Sequence, residues 1–407
     1  MPFEASSRCE SSQSSSANSL LYFTHLTGSH HCFVNQLMNM QSRGLLNMIM
    51  HASCLSFLLL YLTLYLPNYE ARVINLRSAE EIGIRQKVEF EAGKIEARNS
   101  ETNTNLRPLI GILSQPGDGD GYKIIDSLAP NDPRRFNLSY IAASYVKFVE
   151  AGGARAVPLI YNEPEESLSK KFAAINGILF PGGSASLQVG PFYNVAEKLF
   201  KMALRANDEG DYFPVFGTCL GYELLSVIVS QDHHLMEEFK ALAQPAPLLF
   251  SSDLAKQQSM FSWFPEDILQ KITHENLAME NHKWGVSPEK WSATGPLADF
   301  FEVLTTTPDQ ENKLYVSTIQ GRKYPVTGVQ WHPEKNAFEW GIATIPHSLE
   351  AIEITQSVAN FLVSEARKSS HSPSSMEEEG ALLIYNYAPT FAGKNGPGFF
   401  DQAYAFW

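Results

Sequence analysis

The sequence predicts an α/β protein built on one mostly parallel sheet with helices on both faces. Two observations predict it. From Leu109 to Ser226, short apolar runs of strand type alternate with amphipathic stretches of helical length, as in consecutive strand–helix units. A further apolar run at Val326–Gln330 follows a less regular region and is again of buried-strand type.

The elements follow in order. Leu109–Leu113 is a first strand, and the Gly-, Asp- and Pro-rich stretch from Gln115 to Pro133 is a loop. Ser139–Ala151 has helical periodicity and ends at Gly152-Gly153, a C-cap signal. Ala154–Ile160 is a second strand, and Glu163–Ala173 a short helix with Pro164 in its first turn. Gly177–Phe180 is a third strand, followed by a helix over Val189–Asn207. Phe213–Phe216 is a fourth, running into a helix that begins near Leu220. Residues 231–325 are broken by Pro245, Pro247, Pro265 and Pro288, with antiparallel strands expected at Phe301–Leu304 and Lys313–Ile319. Ser348–Glu365 is a long amphipathic helix. Lys368–Gly380, Ser-rich and then acidic, reads as a surface loop, and Ala381–Tyr387 as a last strand.

Charge and cysteine content bound the function. The chain has 407 residues and a net charge of −13, without a long basic block. Nucleic acid as a partner is therefore not expected, because phosphate binding needs a basic face. An acidic ligand would need local positive charges. Of the four cysteines, Cys9, Cys32 and Cys54 precede residue 60. Cys54–Leu66 is strongly apolar, ends at Pro67 and follows Arg43, which reads as a signal-peptide core rather than an anchor. Residues 1–67 are accordingly a leader, 68–107 a charged spacer or pro-segment, and 108–407 one domain. With the leader cleaved no stable membrane insertion is expected, and Cys219 remains as a lone thiol in an oxidising compartment. The sequon Asn137-Leu-Ser139 is consistent with secretory passage.

Cys219 is placed to react. It lies between Gly217 and Gly221 where strand periodicity changes to helical periodicity, the signature of a sharp strand–helix turn that exposes its middle side chain. A free cysteine is more often a small buried hydrophobe, but a helix N-terminus favours the thiolate. Pro181-Gly182-Gly183 follows the third strand at the same sheet edge, so the N–H groups of Gly183 and Leu220 are candidate oxyanion donors. His332, in Trp331-His-Pro-Glu334, ends a buried strand, and Pro333 keeps it extended. Glu334 can reach the far imidazole nitrogen, which makes Cys219, His332 and Glu334 a candidate triad. His282 lies in a polar, aromatic cluster that could line a pocket mouth; His233 and His234 read as a surface pair and His274 as solvated. No Cys/His spacing suits a metal, and no cofactor is expected.

Gly217-Thr-Cys-Leu-Gly-Tyr-Glu223 with Trp331-His-Pro-Glu334 resembles the class I glutamine amidotransferase superfamily, whose fold is flavodoxin-like. Glu223, where the amidotransferases carry Gln, brings it closer to the gamma-glutamyl hydrolase family, as do Ser139–Lys147, Ala151–Arg155, Pro158–Ile160 and Asn281–Trp284. The resemblance covers about residues 108–407. It implies thiol-dependent hydrolysis of γ-glutamyl amide bonds, above all in folylpoly-γ-glutamates, in a vacuole or lysosome or after secretion. By position it implies Cys219 as nucleophile, His332 as general base and then acid, Glu334 as its orienting group, Gly183 and Leu220 as oxyanion donors, and His282, Tyr140 and Glu223 on the substrate side. A homodimer is compatible with it. The loop Gly121–Arg135, Ser184-Ala-Ser186 and the N-terminal extension depart from the family pattern. The alternatives are a glutaminase or γ-glutamyl peptidase acting on small substrates, and a catalytically silent binding protein on the same fold.

Overall fold

The computed structural model describes residues 104–117, 138–392 and 400–407. The expected leader, the spacer up to residue 103, the loop Gly121–Arg135 and Asn137 lie outside the described residues. The last spacer residues are attached to the fold: Asn105 N–H donates to the Arg367 carbonyl at 2.8 Å and Arg107 pairs with Glu379 at 2.6 Å.

The strands, in chain order, are β1 (Leu109–Leu113), β2 (Gln115–Pro116), β3 (Ser139–Ala142), β4 (Arg155–Leu159), β5 (Ile178–Phe180), β6 (Val215–Thr218), β7 (Glu237–Ala246), β8 (Leu249–Phe250), β9 (Ala278–Gly285), β10 (Phe301–Pro308), β11 (Leu314–Gly321), β12 (Val326–Val329), β13 (Thr390–Phe391) and β14 (Gln402–Phe406). The main helices are α1 (Ala143–Ala151), α2 (Glu165–Ala174), α3 (Pro191–Asp208), α4 (Leu220–Ser230), α5 (Leu349–Ala366) and α6 (Met376–Leu382). Among the described residues no helix is long and apolar enough to cross a membrane.

The central sheet has eight strands in the order β4-β1-β5-β6-β12-β11-β10-β8. From β4 through β12 every pairing is parallel, and from β12 to β8 every pairing is antiparallel. The fully buried, continuous apolar sequences of β1 and β5 are what a parallel strand covered on both faces requires. One buried cluster joins α1 and α5 to one face of the sheet through Ile110, Phe148, Leu179, Phe216 and Val358. A second joins α2, α3 and α4 to the other face through Leu109, Phe172, Phe180, Leu199 and Leu225.

Three segments differ from the sequence expectation. Ser139–Ala142 is a strand rather than the first turn of a helix, because it pairs with β14 from the C-terminus and with β2. Those partners lie far off in sequence or in a segment that reads as a loop, and helical spacing through Tyr140, Ser144 and Tyr145 masks the strand. The acidic stretch after Lys368 forms α6. The Ser375 hydroxyl accepts from Glu378 N–H at 3.1 Å, and three glutamates occupy the favourable first turn. Glu379 then pairs with Arg107 and Arg155. The last strand is β14 rather than Ala381–Tyr387, which holds the end of α6 and a short 3-10 turn, Ile384–Asn386. Within the irregular region, β7 and β9 form a long antiparallel pair that the prolines hid.

Candidate active site

Neighbouring strands β5, β6 and β12 end at one level, with Phe180 beside Gly217 and Val329 beside Thr218. The Gly182-Gly183 turn, Cys219 and His332 follow these three ends and meet at one rim, as open α/β sheets place their sites.

Cys219 is the N-cap of α4 with φ 50° and ψ −108°, a left-handed conformation that a non-glycine residue holds only when its surroundings force it. Its N–H donates to the Val329 carbonyl at 2.8 Å, fixing the corner to β12. Gly221 makes the corner fit: a Cβ there would collide with the Phe180 carbonyl. The expected thiolate is not the resting state. Burial pushes the Cys219 thiol well above its usual range, and the Glu223 carboxylate adds to this. Lys335 and the Leu220 N–H oppose the shift without reversing it. The helix terminus is outweighed by desolvation, so the thiol needs a base.

His332 is the imidazole beside it. Its Nδ1 lies 2.7 Å from Glu334 Oε1. Burial raises the Glu334 carboxyl, but the His332 charge, their hydrogen bond and Lys335 together hold it below the ordinary carboxylate range. An ionised carboxylate only accepts, so Nδ1 carries the proton. Burial also lowers His332, which leaves a neutral ring with its lone pair on Nε2. Nε2 is buried and has no partner among the described residues. This is the tautomer of a general base. Gly182 lets the groups converge: a Cβ there would stand 2.8 Å from His332 Cε1 and 3.1 Å from Cys219 Cβ.

Two residues of this centre escaped sequence reading. Tyr145 Oη accepts from Gly182 N–H at 2.8 Å and lies 3.4 Å from His332 Nδ1. Gln115 Nε2 donates to the Gly182 carbonyl at 2.8 Å and the Pro181 carbonyl at 3.1 Å, bracing the glycine turn from behind. Neither belongs to a short motif; only folding brings α1 and β2 to the turn.

A cavity of about 650 Å³ opens over the centre. Cys219, His332, Gly183, Leu220, Glu223, His282 and the Ser184–Ser186 segment all line it. Tyr140 does not; it stacks on Phe400 at 5.3 Å, and Phe400 lines the cavity. His233 and His234, expected as a surface pair, sit on the cavity wall, with His233 Nδ1 held 2.8 Å from the Leu187 carbonyl oxygen. His274 is exposed beside Thr273. His282 is carried by β9, with Lys283 and Trp284 beside it on the wall. Glu223 accepts from Gln330 Nε2 at 3.1 Å, and burial pushes its carboxyl up to about 7.

A mostly parallel sheet with cysteine on the β6–α4 corner and a His–Glu couple beyond β12 fits a cysteine hydrolase. The Peptidase C26 family matches residues 125–334, a span that includes Cys219, His332 and Glu334. The chain is 45% identical over 328 residues to probable gamma-glutamyl hydrolase 3 of Arabidopsis thaliana, covering 80% of this chain and 92% of that protein. It is 47% identical over 306 residues to gamma-glutamyl hydrolase 1 of the same plant, covering 75% of this chain and 84% of that one. It is 38% identical over 316 residues to the gamma-glutamyl hydrolase of Homo sapiens, covering 77% and 94%. Solved structures similar to it include the glutaminase domain of Trypanosoma brucei CTPS with bound acivicin, at 13% identity and a TM-score of 0.40, covering 65% of this chain and 96% of that one. The chain belongs to the Peptidase C26 family, among the gamma-glutamyl hydrolases.

Proposed function

We propose that the chain hydrolyses the γ-glutamyl amide bonds of folylpoly-γ-glutamates through Cys219, His332 and Glu334. The observation that carries this is the 2.7 Å His332–Glu334 contact beside a cysteine strained to φ 50°, in one cavity. His332 Nε2 takes the thiol proton as sulfur attacks the amide carbon. The carbonyl becomes an oxyanion facing the N–H groups of Leu220 and Gly183. Nε2–H then protonates the leaving nitrogen, the C–N bond breaks, and a thioester remains. Water, deprotonated by Nε2, cleaves the thioester and restores the thiol. Glu334 keeps the ring oriented and stabilises its charged form throughout.

The substrate class suits the wall. A poly-γ-glutamate chain carries one α-carboxylate per residue, and Lys283 and Lys335 give this otherwise acidic protein local positive charge on the wall, beside the imidazoles of His233 and His234. His282 and Glu223 stand where the γ-glutamyl residue would lie, and Tyr140 would act through Phe400. The signal-like Cys54–Leu66 supports a place in the secretory pathway, in a vacuole or lysosome or outside the cell. The test is incubation of purified protein with folate pentaglutamate and, separately, with glutamine. Shortened folates that are absent with Cys219→Ala are expected. Ammonia from glutamine without folate cleavage would replace this reading with a glutaminase.

A further inference from the structure

The peptide unit between Gly182 and Gly183 joins two positions that exclude a side chain. A Cβ on Gly182 would stand 2.5 Å from Tyr145 Oη, and one on Gly183 would collide with Gln115 Oε1. A peptide between two glycines rotates at little cost, so its direction has to be set from outside. Gln115 sets it. This residue lies on β2, is 1% exposed, and its backbone pairs with Tyr140 of β3, which pairs in turn with β14. Its Nε2 carries two hydrogens and meets two carbonyl oxygens, Pro181 at 3.1 Å and Gly182 at 2.8 Å. Carbonyls only accept, so this end of the amide is the nitrogen. Oε1 is left buried without a partner among the described residues, which is costly for a side chain that only fills space.

A trans peptide is planar, with its N–H antiparallel to its C=O. The two carbonyls that face Gln115 therefore turn the N–H groups of Gly182 and Gly183 the other way. For Gly182 the direction is seen directly: its N–H reaches Tyr145 Oη at 2.8 Å, and that hydroxyl lies 3.4 Å from His332 Nδ1. The Gly183 N–H has no hydrogen-bond partner among the described residues, and Gly183 lines the cavity with Cys219 and Leu220. We propose that Gln115 is a positioning residue of the oxyanion site: by holding the Gly182 carbonyl it keeps the Gly183 N–H aimed at the oxygen that becomes negative when Cys219 attacks. This rests on the hydrolase reading above. Rotated by half a turn, the same peptide would present a carbonyl of the wrong polarity to the oxyanion and leave the Leu220 N–H without its fellow donor. Because β2 is tied through β3 to β14, the turn is braced from the four-stranded sheet rather than from the strand that carries it.

The test is kcat and KM for folate pentaglutamate, the rate of iodoacetamide labelling of Cys219 and the melting temperature in wild type, Gln115→Met and Gln115→Asn. Methionine keeps the length and has no donor; asparagine keeps the amide and is one methylene too short to reach the turn. Alkylation needs the thiol and its base but develops no oxyanion, so it separates the two parts of the centre. In Gln115→Met kcat is expected to fall about tenfold to a hundredfold, less than the loss of a donor outright, with KM within about twofold of wild type. Labelling and melting temperature should be preserved, and Gln115→Asn should lose as much kcat. An unchanged kcat, a rise in KM at constant kcat, or a loss of labelling that matches the loss of kcat overturns the proposal while leaving the hydrolase reading intact. Wild type that cleaves no folate overturns both. Should Gln115→Met fail to fold, Gln115→Asn carries the same comparison.

Discussion

The cavity holds two histidine–glutamate couples with the same two-residue spacing, and they are built for opposite work. In His332–Glu334 one nitrogen is anchored and the other, Nε2, is buried without a partner beside Cys219. In Glu280–His282 both nitrogens face protein acceptors. A ring whose second nitrogen stands beside a thiol can move that thiol's proton; a ring whose second nitrogen lies 3.2 Å from a buried carboxylate has no thiol to serve. The pairing of residue types therefore does not define a catalytic couple. What defines it is which nitrogen the fold leaves open, and toward what.

The largest expected effects break the comparison at its catalytic side. Cys219→Ala and His332→Gln should each lower kcat/KM on folate pentaglutamate by about a thousandfold or more. The couples would be interchangeable in function if His282→Gln lost as much with an unchanged KM. His332→Gln should also slow iodoacetamide labelling of Cys219 at neutral pH and restore it only in alkali, because the buried thiol then has no base. Glu334→Gln, which keeps the ring but changes its preferred tautomer, should cost about a hundredfold or more in kcat. Tyr145→Phe removes the hydroxyl between Gly182 and His332, and about a tenfold loss in kcat with a preserved melting temperature is expected.

Stability carries smaller signals. Gly221→Ala should destabilise the fold by about 3 kcal/mol in urea titration, since the added methyl meets the Phe180 backbone rather than a movable side chain. The buried carboxyls of Glu223 and Glu339 are each raised from 4.5 to about 7. Between those values the folded chain binds more protons than the unfolded one, so this stabilisation is full below about pH 4.5 and is lost as pH rises through about 7. The lowered His332 acts the other way, because the unfolded chain takes up its proton first as pH falls below about 6.5. With two acids against one imidazole, the urea midpoint should be higher near pH 5.5 than near pH 7.5. Glu339→Gln, outside the cavity lining, should narrow that difference.

Much of this protein was legible because its information is local. The β6–α4 corner shows in Gly217-Thr-Cys-Leu-Gly221, and the His–Glu contact shows in His332-Pro-Glu334, whose order along the chain brings the two side chains together. The parallel core strands show in their unbroken apolar runs. Even α6 was written in Ser375-Met-Glu-Glu378, a capping signal obscured by its acidic surroundings. By contrast β3 depends on β14, more than two hundred residues away, and the β7–β9 pair depends on partners separated by several short helices.

The sequence by itself determined the core strands, the cysteine corner and the histidine–glutamate contact, since each is specified by neighbours along the chain. Only the tertiary structure decided that the resting thiol is neutral, that Tyr145 and Gln115 belong to the centre, and that His282 Nδ1 is tied to the Trp284 carbonyl with Nε2 against Glu280. Those properties come from burial and from contacts between distant segments, and burial sets the cost of a charge through surroundings that no short stretch contains.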